Sequence, residues 1–423
     1  MTPHKDLTQP HADHTADVII IGAGPSGALS AARLVQAGHS VLVLERQHFP
    51  RFSIGESLLP QSMQFLEEAG MLDAVIKEGF QFKNGAAFSH KERYDYFDFR
   101  EKFSDGWGTT FQVQRNRFDQ ILADEAARFG ALIEYGQTVT AYQETEQGVS
   151  LTVQDEAGLE RTVHARFVLD ASGFGRVLPK LLGLERNSTL ASRASLFTHV
   201  EDRISHPDFD RDKILITVHP EHPEIWYWLI PFSNGRASVG VVVPREHLAN
   251  MEGDEADQLK ALIKAAGWKA EVLADAVFDT RVGKLESYSC DVIQLYGERF
   301  ALLGNAGEFL DPVFSSGVTI ALKSAHLASQ ALDKTLKGEA VNWEQEYAEP
   351  LKLGVNTFRA FVEGWYNQDL QTVIFTQDKT DQIKRMISSI LAGYAWDTDN
   401  PYVASPKRLA TLARLCEQAE VTA

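Results

Sequence analysis

The 423-residue sequence predicts an α/β fold in which two kinds of segment are interleaved along the chain, closed by a helical C-terminal region. Three observations predict it. Short apolar, β-branched runs end at glycines near residues 17–22, 167–173 and 299–304, as buried parallel strands do. Aromatic and alternating strand-like stretches at 82–111 and 191–284 interrupt them. Beyond about residue 340 the pattern becomes helical and aromatic, as in FRAFVEGWYNQ and DQIKRMISSILAGYAW.

Composition bounds the function. At 44% hydrophobic and 23% charged residues, the chain suits one large globular unit with subdomains. Aromatics reach 10%, which suits a protein that buries flat rings. A net charge of −17 excludes nucleic acid as a general partner and broad attachment to anionic lipid. A local basic patch remains open around Lys407 and Arg408. Two cysteines, Cys290 and Cys416, give neither a disulfide framework nor metal-ligand spacing, so no metal site and a cytoplasmic location are expected. Residues 1–16 are polar and read as a disordered tail, with His4, His11 and His14 too sparse for a metal site. No apolar run approaches the roughly 18 residues of a membrane span.

The N-terminal elements follow in order. Asp17–Ile21 reads as a buried strand, Ala28–Ala37 as a helix stopped by Gly38, and Ser40–Leu44 as a second strand ending at Glu45. Between the first strand and the helix stands Gly22-Ala23-Gly24-Pro25-Ser26-Gly27. In that context a GxGxxG turn is a Rossmann-like dinucleotide signature. Gly22 allows the turn, Gly24 lets backbone approach a pyrophosphate, and Gly27 lets helix and strand pack. The helix N-terminus then offers free N–H groups to the phosphates. Glu45, with Arg46 beside it, is placed to hold a ribose. Further along, 115–129 reads as a helix, 132–169 as hairpins, 195–243 as alternating strands, 256–266 as a polar helix, 299–303 as a strand and 318–336 as a long helix.

Two later segments resemble flavoprotein hydroxylase motifs: Val168-Leu169-Asp170-Ala171-Ser172-Gly173, and Gly304-Asn305-Ala306-Gly307 continuing through Asp311, Pro312 and Gly317. The resemblance implies FAD as cofactor, contacted by Asp170, Gly173, Asn305, Asp311, Pro312 and Gly317. Asn305 stands where that motif usually has aspartate; its amide can still bond a hydroxyl.

Three further motifs resemble those of the flavin-dependent halogenases. They are Phe49-Pro50-Arg51 with Gly55-Glu56-Ser57-Leu58-Leu59-Pro60; Trp226-Tyr227-Trp228-Leu229-Ile230-Pro231, which matches WxWxIP; and Phe309, Pro312, Ser315 and Gly317, which match FxxPxxSxG. The resemblance runs from about residue 16 into the C-terminal helices. It implies that FADH2 reacts with oxygen to a flavin hydroperoxide, that chloride or bromide takes the distal oxygen as hypohalous acid, and that a lysine delivers it to one ring position. Lys83 aligns with that lysine, and Ser315 with a catalytic serine. Ser316 and Gly317 would hold the halide, Ser57 and Arg115 the cofactor. Trp226, Trp228 and Pro231 would part flavin from substrate. Read singly, Lys83 before Asn84-Gly85 is a solvated turn residue, the tryptophans are core, and Ser315 caps a helix. Tryptophan-acting members carry glutamate where this chain has Phe314. A phenol or pyrrole, free or on an acyl carrier protein, therefore fits better, as in compact members and halogenase-like proteins of aryl-polyene pathways.

The resemblance also implies a separate flavin reductase and a role in secondary-metabolite or pigment biosynthesis. The expected FAD-binding unit comprises 17–81, 112–190 and 285–338; a substrate-side β-sheet unit 82–111 and 191–284; and a C-terminal helical region 339–423. Three alternatives stand beside this one: an FAD-dependent aromatic hydroxylase, an accessory flavoprotein that turns nothing over and, more distantly, a ring-saturating or polyprenyl reductase of related fold.

Overall fold

The computed structural model describes residues 15–145, 148–377 and 379–422. His4, His11 and His14 lie outside them. The architecture is the expected one: an α/β nucleotide-binding layer, a mixed sheet interleaved with it, and C-terminal helices.

The first sheet has five parallel strands in the order Leu132–Tyr135, Val41–Glu45, Thr15–Ile21, Glu160–Asp170 and Phe300–Leu302. Gly148–Gln154 and Thr138–Thr145 extend it as an antiparallel hairpin ribbon on Glu160–Asp170. Its central strands are buried on both faces, hence their unbroken apolar sequences. Helices Pro25–Gln36, Arg115–Phe129 and Ser316–Leu336 pack beside it. The first helix begins three residues before the expected Ala28. Pro25 occupies its first turn, where a missing N–H costs nothing.

The second sheet has seven strands in the order Gly283–Glu286, Arg193–Glu201, Arg236–Pro244, Trp226–Pro231, Lys213–Val218, Gly85–His90 and Arg93–Asp98. All its pairings are antiparallel except Lys213–Val218 with Gly85–His90. Side chains alternate across it as strand geometry requires. Trp226, Trp228, Ile230, Ile214 and Ile216 face the main core. Tyr227, Leu229, Leu215 and Val241 face a second core, closed by helices Glu255–Lys264 and Trp268–Val272. This period of two puts both tryptophans of the motif on one side.

A small two-stranded sheet, Gln81–Lys83 with Thr110–Gln112, joins the two layers. The C-terminal helices Glu349–Tyr366, Asp369–Phe375 and Asp381–Leu391 pack over the junction. Among the described residues, no helix is long and apolar enough to cross a membrane, and no cluster of three metal-ligating side chains occurs.

Candidate active site

A cavity of about 380 Å3 runs from the Gly22–Ser26 turn to Trp226 and Trp228. Its first end is built by the two parallel strands that stop there. Glu45, at the end of the second strand, accepts hydrogen bonds from Ala23 N (2.8 Å) and Gln47 N (2.9 Å), which sets the turn. Arg51 reaches Asp119 at 3.3 Å and Glu45 at 3.7 Å, yet its buried Nε has no hydrogen-bond partner. An unmet cationic donor beside a glycine turn and a helix N-terminus fits the pyrophosphate of FAD. Arg115 binds Asp119 (2.7 and 3.0 Å) and the carbonyl oxygens of Ile54 and Gly55, so it fastens the 46–57 loop along the cavity.

Of the expected cofactor residues, Gly22, Gly24, Glu45, Arg46, Ser57, Arg115, Gly173, Asn305, Pro312 and Gly317 line this cavity. Three others stand behind its wall. Gly27 packs against the Gly22 carbonyl. Asp170 is buried and its two oxygens accept from Ser172 N (2.9 Å) and Leu178 N (2.7 Å), so it shapes the turn from within; burial raises its pKa. Asp311 is likewise turned inward, toward Val313 N and the Tyr366 hydroxyl.

Trp226 and Trp228 line the far end, with ring centroids 6.0 Å apart. Trp228 donates to Ser238 Oγ (3.0 Å) and lies flat on Gly240, where a Cβ would stand 2.2 Å from the ring. Ile230 lines the cavity, whereas Pro231 ends the strand outside it. Ser315 lines the cavity in a left-handed conformation (φ +55°) and its side chain makes no capping bond. A non-glycine residue held there is a strained position of the kind that clusters at functional sites. Ser316 is buried beside it, and the first N–H groups of the 21-residue helix it opens lack intrahelical partners.

Lys83 is wholly buried. Residues 56–58 add to the edge of strand Thr110–Gln112, whose other side pairs with Gln81–Lys83. The Lys83 ammonium thereby meets Ser57 Oγ and the Leu58 carbonyl, both at 2.7 Å, over the Phe99 ring at 5.3 Å. Ser57 lines the cavity, so Lys83 stands one hydroxyl behind its wall. Among the described residues no carboxylate pairs with it, and burial pushes its pKa down to about 7. The unfolded chain therefore binds more protons than the folded one between pH 7 and 10.5. Lys83 should make stability rise with pH across that window, by up to about 1.4 kcal/mol per unit, and leave it flat below. Urea unfolding at pH 7.5 and 9.5 should show a larger gain in the wild type than in Lys83→Met, the difference being the contribution of Lys83. Lys269, also buried and lowered by burial, is common to both and cancels.

Other groups at the site have only tertiary signals. Arg51 and Glu56 lie inside the first motif, which assigns them no role. Glu56 pairs with His199 at 2.6 Å, linking the cavity to a second one of about 320 Å3. Tyr288 lines the main cavity, and Tyr366 comes from the C-terminal helix.

A family model described as an FAD binding domain matches residues 15–349. A solved flavoprotein/dehydrogenase from Cytophaga hutchinsonii is 43% identical, with a TM-score of 0.93 over 96% of this chain and 100% of that one. A chlorinase of 1H-pyrrole-2-carbonyl-(peptidyl-carrier protein) from Pseudomonas fluorescens is 28% identical over 392 residues, 87% of each chain. The solved myxobacterial chondrochloren halogenase is 27% identical, with a TM-score of 0.74 over 95% of this chain and 97% of that one. The chain belongs to the FAD-binding domain family and is similar to flavin-dependent halogenases.

Proposed function

We propose that this protein halogenates an electron-rich aromatic ring, a pyrrole or a phenol, with FADH2 as reductant. The observation that carries the reading is Lys83: a buried amine, with no carboxylate partner among the described residues, one hydroxyl from the cavity. Reduced FAD, when bound, supplies with oxygen the oxidising equivalents that turn chloride or bromide into hypohalous acid. The protein's residues do the rest. Gly22, Gly24 and Arg51 hold the pyrophosphate, Glu45 and Arg46 the ribose, and Asn305 a hydroxyl of the ribityl chain. The N–H groups of Ser316 and Gly317 hold the halide at the helix N-terminus. Trp226 and Trp228 wall the flavin from the substrate. Lys83 binds the electrophile, with Ser57 orienting the amine, and passes it to the ring. At a pKa of about 7 both the donor ammonium and the nucleophilic amine are populated at neutral pH.

The ring must shed its proton unaided by a carboxylate at 314. Phe314 packs edge-on against Phe361 and Trp365, at 6.3 and 6.0 Å. Only an already activated ring suits that. The pyrrole-carrier chlorinase supports a carrier-borne acyl ring as one form of the substrate. A separate flavin reductase supplies FADH2, and the cytoplasm is the proposed location. The FAD-binding unit is 17–81, 112–190 and 285–338, with 82–111 and 191–284 on the substrate side.

The test is a single turnover with FADH2, oxygen, bromide and a phenol or a pyrrolyl thioester, read by mass spectrometry. A bromine isotope pattern is expected. An added oxygen in its place makes the protein a hydroxylase, and flavin oxidation without any product makes it an accessory flavoprotein. Oxidation of NADPH by the protein alone would contradict the separate reductase.

A further inference from the structure

Trp226 and Trp228 are held differently. Trp228 has a partner on the neighbouring strand, Ser238. The Trp226 indole N–H leaves the sheet and donates to Tyr366 Oη at 2.9 Å. Tyr366 donates in turn to Asp311 Oδ2 at 2.8 Å, and Asp311 Oδ1 accepts from Val313 N at 3.0 Å. Arg193 lies over the Tyr366 ring, 3.4 Å from its centroid, and is itself fixed by the Glu224 carbonyl. Tyr288 closes the group from the cavity side. Three distant parts of the chain meet here: the sheet, the loop that leads into Ser315–Gly317, and the end of a C-terminal helix.

The direction of each bond is fixed by chemistry. An indole N–H only donates and an ionised carboxylate only accepts. A hydroxyl between them must accept from one and donate to the other, so its rotor has a single setting. Burial pushes Asp311 up to about 6, which still leaves it ionised at neutral pH. Such a chain is worth more than its separate bonds, because each polarises the next. Nothing in it requires contact with FAD, since Asp311 lies behind the cavity wall.

We propose that Asp311 and Tyr366 are positioning residues for the partition: they lock the Trp226 indole in the wall and tie it to the loop that carries Ser315. The geometry stands by itself; its consequence for turnover rests on the halogenase reading above. With the lock gone, Trp226 swings, water enters, and oxidising equivalents escape as hydrogen peroxide before they reach Lys83.

The test compares FAD-loaded wild type with Tyr366→Phe, Asp311→Leu and Asp311→Asn, the last of which keeps a carbonyl acceptor. Solvent exchange of the Trp226 indole proton, assigned with Trp226→Phe, should quicken at least about tenfold in Tyr366→Phe and Asp311→Leu, and less in Asp311→Asn. Peroxide released per FADH2 should rise in the same order, while FAD affinity stays within about twofold. Unchanged exchange overturns the lock. Faster exchange with unchanged peroxide yield overturns its role in partition. A loss of FAD affinity in step with exchange reduces both residues to general scaffolding. If the wild type makes no halogenated product at all, the halogenase reading fails, and the exchange rates still decide whether the lock exists.

Discussion

Lys83→Ala should lose halogenated product by about 10^3-fold or more, while FADH2 is still consumed by oxygen at nearly the wild-type rate. The two outcomes separate because of where Lys83 stands. It does not line the cavity; Ser57 intervenes. Removing the amine therefore leaves the FAD contacts in place, and FAD affinity should stay within about twofold. What disappears is the amine proposed to take the electrophile beyond the Ser57 wall, so the oxidant should emerge as peroxide or hypohalite. Lys83→Arg should not rescue. A guanidinium stays charged at every accessible pH and cannot act as a neutral amine. It would also carry a larger planar head into a slot closed by Leu58 and Phe99. Lys83→Met keeps the volume and separates lost chemistry from a collapsed cavity. Product by mass spectrometry and peroxide by a coupled assay, on the same samples, check the prediction. More than a tenth of wild-type product from Lys83→Ala would remove the role given to this residue.

The same lysine shows how far sequence reasoning reaches. Gly22–Gly27 was legible because its requirements are local: a strand, a turn, a helix and Glu45 twenty residues on. The WxWxIP strand was legible because its period of two puts Trp226 and Trp228 on one face. Lys83 before Asn84-Gly85 is indistinguishable by local pattern from a solvated turn. Its burial comes from residues 56–58 adding to a strand more than fifty residues away. Asp170 and Asp311 lie in segments that do line the cavity, but which way a carboxylate turns depends on the backbone N–H groups nearby, and both turn inward. Tyr366 has no local signal at all, because its partners come from 226 and 311.

Gly27→Ala should abolish FAD retention, raising Kd at least about 100-fold and yielding colourless protein, whereas Gly24→Ala should cost far less. The difference lies in what a new methyl group meets. At Gly27 a Cβ would stand 2.0 Å from the Gly22 carbonyl oxygen and 3.2 Å from the Ala171 Cβ. Both neighbours are fixed. Gly22 N is bonded to the Leu44 carbonyl, and Ala171 N to the Ile21 carbonyl, so each belongs to the sheet. The helix must therefore retreat from the strand, which takes its N-terminal N–H groups away from the phosphates. At Gly24 the nearest atom is Arg51 Nη2 at 3.4 Å, the end of a flexible side chain. There the methyl group only crowds the cavity where backbone and pyrophosphate approach. A packed interior transmits the first change and absorbs the second. Titration of the apo-proteins with FAD, followed by flavin fluorescence, measures both. Equal losses at the two positions would mean that crowding of the ligand governs binding, and that the seating of the helix on the sheet does not.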